Sequence, residues 1–436
     1  MNPDRGFIAG SALQFSGAAA PAWLLFVVLA AAVLFNFVLC YVNTKVLPVT
    51  RLDVAMCEVA IVAAGIVIAS RAIRLGEYLL LAGIVLVTVL LAALRADATT
   101  GARFDVQPAR DFLIPVVFFV LGTRCPSPIA ADRIMSVLAF IVVAVGVLEF
   151  LFLNEYTRYF DISSYYYARG SISAEEFAYS SAKLFVSGLR PEGRALFPFI
   201  GDHRVSSVFL EPVSPGNFAV LLFYWALVRS FATRRLKLFQ FACALLLTVL
   251  ADNRFGLVMC GSGLLFIVLV RKAPPMLLKL ILLLLPCAGA LGVIAIALAN
   301  PFYPINDSFL GRSVSSGQAL MSLDLFNWLG LEGVGSTVNI YDSGYTYTVA
   351  VIGAPAFLAL WTLFVSLKGR AKDFPTFRAM LALYYAMILC VSYSPFTIKT
   401  AAVAWFLLGA LRGGEATAWV PMKLMLPGDV LVRQRG

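Results

Sequence analysis

The chain has 436 residues, of which 61% are hydrophobic and only 13% charged, with a mean hydropathy of +0.88, whereas ordinary soluble domains carry about 25% charged residues. Water is excluded as the main solvent, and so is a soluble enzyme with two cores. The net charge of +10 does not mark a nucleic-acid binder, because lysines and arginines are spread through short loops rather than gathered on one polar face.

In chain order, the start MNPDRGFIAGS precedes an apolar block too long for a secretory leader, so the first block is expected to stay as a helix. Apolar blocks of membrane-crossing length then predict helices over 22–42, 52–70, 77–94, 110–122, 134–153, 212–229, 236–251, 254–270, 276–299, 346–367, 376–394 and 397–411. Twelve crossings is the working count, with the short fourth and twelfth blocks leaving eleven or ten open. The expected fold is an all-α membrane protein forming one polytopic domain over 1–436. Short loops rich in basic residues stay in the cytoplasm. Arg124/Arg133, Arg234/Arg235, Arg271/Lys272 and Lys368/Arg370 therefore put the N-terminus and a tail over 412–436 inside. Two long connections, 154–211 and 300–345, then fall together on the outer face. Within the first, Ser173-Ala-Glu-Glu176 is a capping box followed by Phe177, Leu184 and Phe185 at helical spacing, an amphipathic helix. A similar stretch surrounds Leu320, Leu323 and Trp328.

The residues available for chemistry are few. All seven cysteines lie in or beside apolar blocks, which argues against disulfides and cysteine-held metals. His203 is the only histidine, so a catalytic triad needing one stays open while a multi-histidine metal site is excluded. There is no D-x-D pair, P-loop or G-x-G-x-x-G, which removes the usual means of holding a nucleotide. Arginines near the outer face stand out: Arg204 in GDHRVSSVFLEPVSPGNF, Arg254 in LADNRFGL and Arg312 in FLGRSVSSG. Guanidinium groups fork onto phosphate oxygens, and three together would stabilise a leaving pyrophosphate. Each alone is equally explained as a loop charge reaching lipid headgroups or an acid. Glu211, at the mouth of a span, is a partner for Arg204 or a general base. Asp342, in IYDSGYTYTV, is the better candidate base, although Asp-Ser-Gly is also a turn and helix-entry signal. Glu58 and Glu149 lie inside predicted spans, where acids are functional suspects or counter-charges. Tyr156, Tyr159, Tyr165, Tyr166 and Tyr167 crowd the first long loop and suit sugar stacking or an interfacial belt.

These stretches together resemble the Wzy-type polysaccharide polymerase and O-antigen ligase superfamily, in its exopolysaccharide, xanthan-polymerase-like branch. The likeness is carried by R204-VSSVFLEPVSPG-N217, D252-N-R254, G311-R312 and the run from G333-V-G335 to D342-S-G-Y345. It covers most of the chain from about residue 200. The resemblance implies a GT-C-like architecture in the bacterial inner membrane with a periplasmic active site. It further implies metal-independent polymerisation of undecaprenyl-pyrophosphate-linked oligosaccharide repeat units, with no cofactor. Arg204, Arg254 and Arg312 would take the pyrophosphate, and Asp342 or Glu211 would act as base. Membrane lipids, a chain-length-regulating copolymerase and export proteins are the further partners expected, and no nucleic acid. Ligases of the superfamily carry a histidine where this chain has Asp342, which favours polymerase over ligase. A flippase or transporter, which would show inverted repeats and helices broken at mid-membrane, and an export scaffold are the readings from other classes.

Overall fold

The computed structural model describes residues 19–70, 75–95, 107–179, 183–189, 196–201, 203–304, 306, 308–331 and 343–413. Among these residues the chain is helical throughout, and the only strand-like pairing is an isolated bridge between Leu189 and His203. The helices are α1 (Ala22–Lys45), α2 (Arg51–Ser70), α3 (Leu75–Arg95), α4 (Gln107–Thr123), α5 (Pro128–Leu151), α6 (Leu153–Tyr159), α7 (Ile162–Ala168), α8 (Ala174–Tyr179) and α9 (Val213–Val228). They continue as α10 (Arg234–Leu250), α11 (Arg254–Lys272), α12 (Pro275–Ala299), α13 (Phe309–Met321), α14 (Leu325–Leu329), α15 (Gly344–Ile352), α16 (Ala354–Ser366), α17 (Phe374–Ile388) and α18 (Ile398–Gly413). Their starts follow local chemistry. The Ser127 hydroxyl accepts the Ala130 N–H ahead of Pro128, and Thr233 and Asn253 cap α10 and α11 in the same way.

Five helices (α1, α2, α5, α11 and α12) are long and apolar enough to cross a membrane, and the bent pair α15–α16 makes a sixth. Their outward residues are apolar, with Val59, Phe140, Leu265 and Leu291 all exposed, as hydrocarbon solvent demands. The chain is an all-α, multi-pass membrane protein. Its centre is formed by α9, α17 and α18, which are buried nearly all round. Trp225 of α9 meets Phe377 of α17 edge-on with ring centroids 5.3 Å apart. α4 and α18 approach backbone to backbone: a Cβ on Gly122 would overlap Phe406 O, and one on Gly409 would overlap Phe119 O. Small residues let membrane helices pack this closely.

Two expectations need correction. The block over 346–367 is not one continuous helix: it breaks at Gly353, whose φ is +80°, and α16 leaves α15 at 108°. Gly353 followed by Pro355 at the head of α16 ends one helix and starts the next. The capping box forms as read, with Ser173 N–H on Glu176 Oε2 at 2.8 Å and Glu176 N–H on Ser173 Oγ at 3.1 Å. The helix it starts ends at Tyr179, however, so Leu184 and Phe185 lie beyond it. Phe177 stacks instead on Tyr167, with ring centroids 4.7 Å apart.

Buried charges gather at both ends of the bundle. At one, Arg229 is fully buried against Asp132, which also accepts from Trp225 Nε1 at 3.0 Å and Gln240 Nε2 at 3.1 Å. Close by, Asp373 holds the start of the α9–α10 turn by accepting from Ser230 N–H at 2.7 Å. The opposite end, where α4, α9, α11 and α18 begin, carries the candidate site.

Candidate functional site

The R204–N217 segment is moulded by Glu149, an acid inside a predicted span. Its fully buried carboxylate accepts the N–H groups of Ser206 at 2.9 Å and Ser207 at 2.5 Å. Hydrogen bonds of this kind are strengthened in a low-dielectric interior and hold Ser207 at a left-handed φ of +51°. Ser207 Oγ donates to Val142 O at 2.6 Å, and Tyr156 Oη donates to Ser207 O at 2.9 Å. Glu149 thus serves as the anchor of the loop.

Arg204 donates from Nε to Ala251 O at 3.0 Å and from Nη1 to Ser187 O at 3.2 Å. It ties the first long connection to the α10–α11 turn. In that turn Asp252 accepts from Leu196 N–H at 3.1 Å and Phe197 N–H at 3.2 Å, while Asn253 Oδ1 caps Gly256 N–H at 2.7 Å. Arg254 follows as an exposed residue in the first turn of α11. The turn also rests on α9, where a Cβ on Gly216 would overlap the Asn253 side chain. Gly216→Ala is therefore expected to lower stability by about 1–3 kcal/mol through overpacking, read as a drop in thermal midpoint. An unchanged midpoint would show that the turn yields freely.

Glu211 and Asn217 of the same segment grip the start of α18. Lys399 pairs with Glu211 and donates to Phe209 O at 3.1 Å, and it is only 7% exposed. Ser214 Oγ donates to Glu211 at 3.0 Å, and Asn217 Nδ2 donates to Ser394 Oγ at 2.9 Å. The partner expected for Glu211 was Arg204. The structure gives it Lys399, from a block read as the twelfth span.

Around this pair a wider charge cluster forms from helices far apart in sequence. Arg110 pairs with Glu58 of α2 and also binds its neighbour Asp111, with Nη2 on Oδ1 at 2.7 Å. Tyr347 Oη of α15 donates to the other Asp111 oxygen at 2.5 Å. Arg169, just past α7, lies over the Tyr166 ring at 4.3 Å and the Tyr165 ring at 5.4 Å. Its Nε donates to Ser171 Oγ at 2.7 Å. Tyr165 Oη donates in turn to Asn36 Oδ1 of α1 at 2.6 Å, fixing this platform to the bundle. Glu58 lies within electrostatic reach of Arg169 and Lys399 as well as Arg110, and Glu211 within reach of Arg169.

The electrostatics follow from these contacts. Burial alone would raise the Glu211 carboxyl, but the Lys399 ammonium, the Lys399 and Ser214 hydrogen bonds and the Arg169 charge together pull it below the usual carboxylate range. Glu211 is therefore ionised at neutral pH and a weak proton acceptor. Burial would lower the Arg169 guanidinium, yet the tyrosines and Glu211 outweigh it and push the group upward. Burial pushes the Tyr165 phenol up to about 12, against the lowering effect of Arg169. The site is thus a fixed set of cations and anions in which Arg169, among the described residues, forms no ion pair with a carboxylate. A half-buried arginine over two aromatic rings, beside a carboxylate already engaged by lysine, is suited to meeting an added anion.

Of the expected site residues, Glu211 lies inside the cluster, and Arg204 and Arg254 share the 251–254 turn beside it. Arg312 stands half-buried in the first turn of α13, packed on α12. Asp342 and the 333–335 glycines lie outside the described residues, as does the tail beyond 413. Arg110, Arg169 and Lys399 were not anticipated. The spacing of Tyr165, Tyr166 and Arg169, three and four apart on one helical turn, is the signal that would have pointed to the platform. A lysine two residues into an apolar block, which demands a partner, would have pointed to Lys399. No family model, curated protein or solved structure matches the chain.

Proposed function

We propose that the chain is a glycan polymerase that extends polysaccharide from an undecaprenyl-pyrophosphate-linked oligosaccharide at the periplasmic face of the bacterial inner membrane. Twelve membrane crossings in a GT-C-like arrangement belong to this reading, with the site end outward. The observation that carries it is the convergence of Arg110, Arg169 and Lys399 with Glu58, Asp111 and Glu211 at one end of an apolar bundle. The R204–N217 segment contributes Glu211 and the Phe209 carbonyl to that cluster. Such a place holds a diphosphate whose lipid tail stays in the hydrocarbon, and preorganised cations stabilise the charge that builds on it as the glycosidic bond breaks. Arg254 and Arg312 keep the pyrophosphate role, while Arg204 shapes the loop through the Ala251 and Ser187 carbonyls. Asp342 remains the proposed base for the acceptor hydroxyl, since Glu211 is committed to Lys399. Chain-length and export proteins are the proposed partners.

One observation favours a second reading, a flippase of lipid-linked glycans: the helix broken at Gly353, a feature of transporters. Purified protein in proteoliposomes, supplied with lipid-linked repeat units, separates the cases. The polymerase reading expects a ladder of increasing repeat number. Transfer of a single unit to another acceptor would identify a ligase, and translocation without new bonds a flippase; either overturns the polymerase.

A further inference from the structure

We infer that α13 and α14 form a re-entrant pair that descends from the site end into the bundle beside α12 and presents Leu325, Phe326 and Leu329 to the hydrocarbon chains of the bilayer. The second long connection is then largely a membrane element. This inference is independent of the proposed chemistry.

Depth is read against α12, a continuous helix of 25 residues, about 37 Å long at 1.5 Å per residue. A Cβ on Gly317 of α13 would overlap Val293 O, about 9 Å in from the α12 end at Ala299. At the same level Ser316 Oγ meets Ser343 Oγ, at the head of α15, at 2.5 Å. Tyr345 in the first turn of α15 faces Gly289, about 15 Å in. Trp361 Nε1 of α16 donates to Leu282 O at 2.9 Å, about 25 Å in. Gly353, the break between α15 and α16, precedes Trp361 by eight residues, at most about 12 Å of helix, so it lies at least about 13 Å in. Gly330, which closes α14, touches that break: a Cβ on Gly330 would overlap Gly353 N, and one on Gly353 would overlap Leu329 O. The pair therefore enters beside α12 and reaches at least about a third of the way along it.

Its outward face matches hydrocarbon. Leu325 is 70% and Phe326 57% exposed, with Phe309, Met321 and Leu329 also exposed. This face continues that of α12, where Leu284, Leu291 and Leu298 are exposed. A patch of large apolar residues at this depth is a lipid contact, not an external surface. Asp324, the acid at the tip, is turned onto the head of α14, its Oδ1 accepting from Asn327 N–H at 2.7 Å and Asn327 Nδ2 at 2.9 Å.

The test is nitroxide labelling of Phe326→Cys, with Glu175→Cys on exposed α8 as the aqueous reference. Both are made in a full-length chain whose seven native cysteines are replaced, reconstituted in phosphatidylcholine vesicles. The expected result is several-fold more collision with oxygen than with a water-soluble nickel chelate at 326, and the reverse at 175. Equal nickel access at both sites would overturn the inference. A benzophenone amino acid at Leu325 in the otherwise native chain gives a second reading: acyl-chain adducts on irradiation support it, and adducts confined to the protein overturn it.

Discussion

Glu211→Gln is expected to destabilise the protein by about 3–5 kcal/mol, the cost of leaving one member of a buried pair without its counter-charge. Lys399 is 7% exposed and donates to Glu211 and to the Phe209 carbonyl. With glutamine opposite, its ammonium keeps only neutral acceptors. Lys399→Ala should be comparably damaging, since it strands the carboxylate against Ser214 and nearby backbone. The double variant Glu211→Gln with Lys399→Met should recover much of the loss, because removing both charges also removes the desolvation cost. Thermal unfolding in nanodiscs reads all three. Additive losses in the double variant would show that the two residues act separately. The pH dependence has a defined sign. Glu211 is held below the ordinary carboxylate range, so its contribution is fully present above about pH 4.3. It is lost as pH falls through the lowered value. The wild-type midpoint should fall in that acid window, and the Glu211→Gln variant should lose that part of the fall.

Arg169→Ala should reduce polymer formation by about 10²–10³-fold, the effect of removing one preorganised donor from a developing anion, while thermal stability changes little. Arg169 is half-buried and, among the described residues, in no ion pair with a carboxylate, and what holds it is the pair of rings at 4.3 and 5.4 Å and the Ser171 hydroxyl. Arg169→Lys should restore activity only in part, because an ammonium cannot fork onto two phosphate oxygens or lie flat on a ring. Tyr166→Leu removes the nearer ring and should weaken substrate binding through loss of a cation–π contact of about 0.5–2 kcal/mol. Initial rates over a range of lipid-linked donor check this series. Wild-type rates in Arg169→Ala would remove the residue from the site.

The membrane class was legible because hydrocarbon imposes its demand on every residue of a span, and each expected block falls on a helix except 346–367, which falls on two. Where a backbone turns inside the membrane was harder. Val351-Ile352-Gly353-Ala354-Pro355 holds a stop and start signal, but its flanks are apolar enough to read as one crossing. Charge pairing was the least legible. Glu58 and Arg110 are 52 positions apart and Glu211 and Lys399 188 apart, so no local pattern announces either pair. Glu149 shows the converse: an acid inside a span drew suspicion of chemistry, and it holds two backbone N–H groups of a loop that residue spacing did not place beside it. The R204–N217 segment stood out as a motif, yet its arginine binds carbonyls, and its grip on α18 runs through Glu211 and Asn217.

The central claim is that a lipid-linked diphosphate sits among the charges at the α4, α9 and α18 head end. Photolabelling with a polyprenyl pyrophosphate carrying a diazirine beside the phosphates, followed by peptide mapping, tests this most directly. The account predicts labelled peptides containing Arg169 and Lys399, lost on competition with unmodified polyprenyl pyrophosphate. Competable labelling confined to the opposite end, around Arg229 and Asp132, would contradict it.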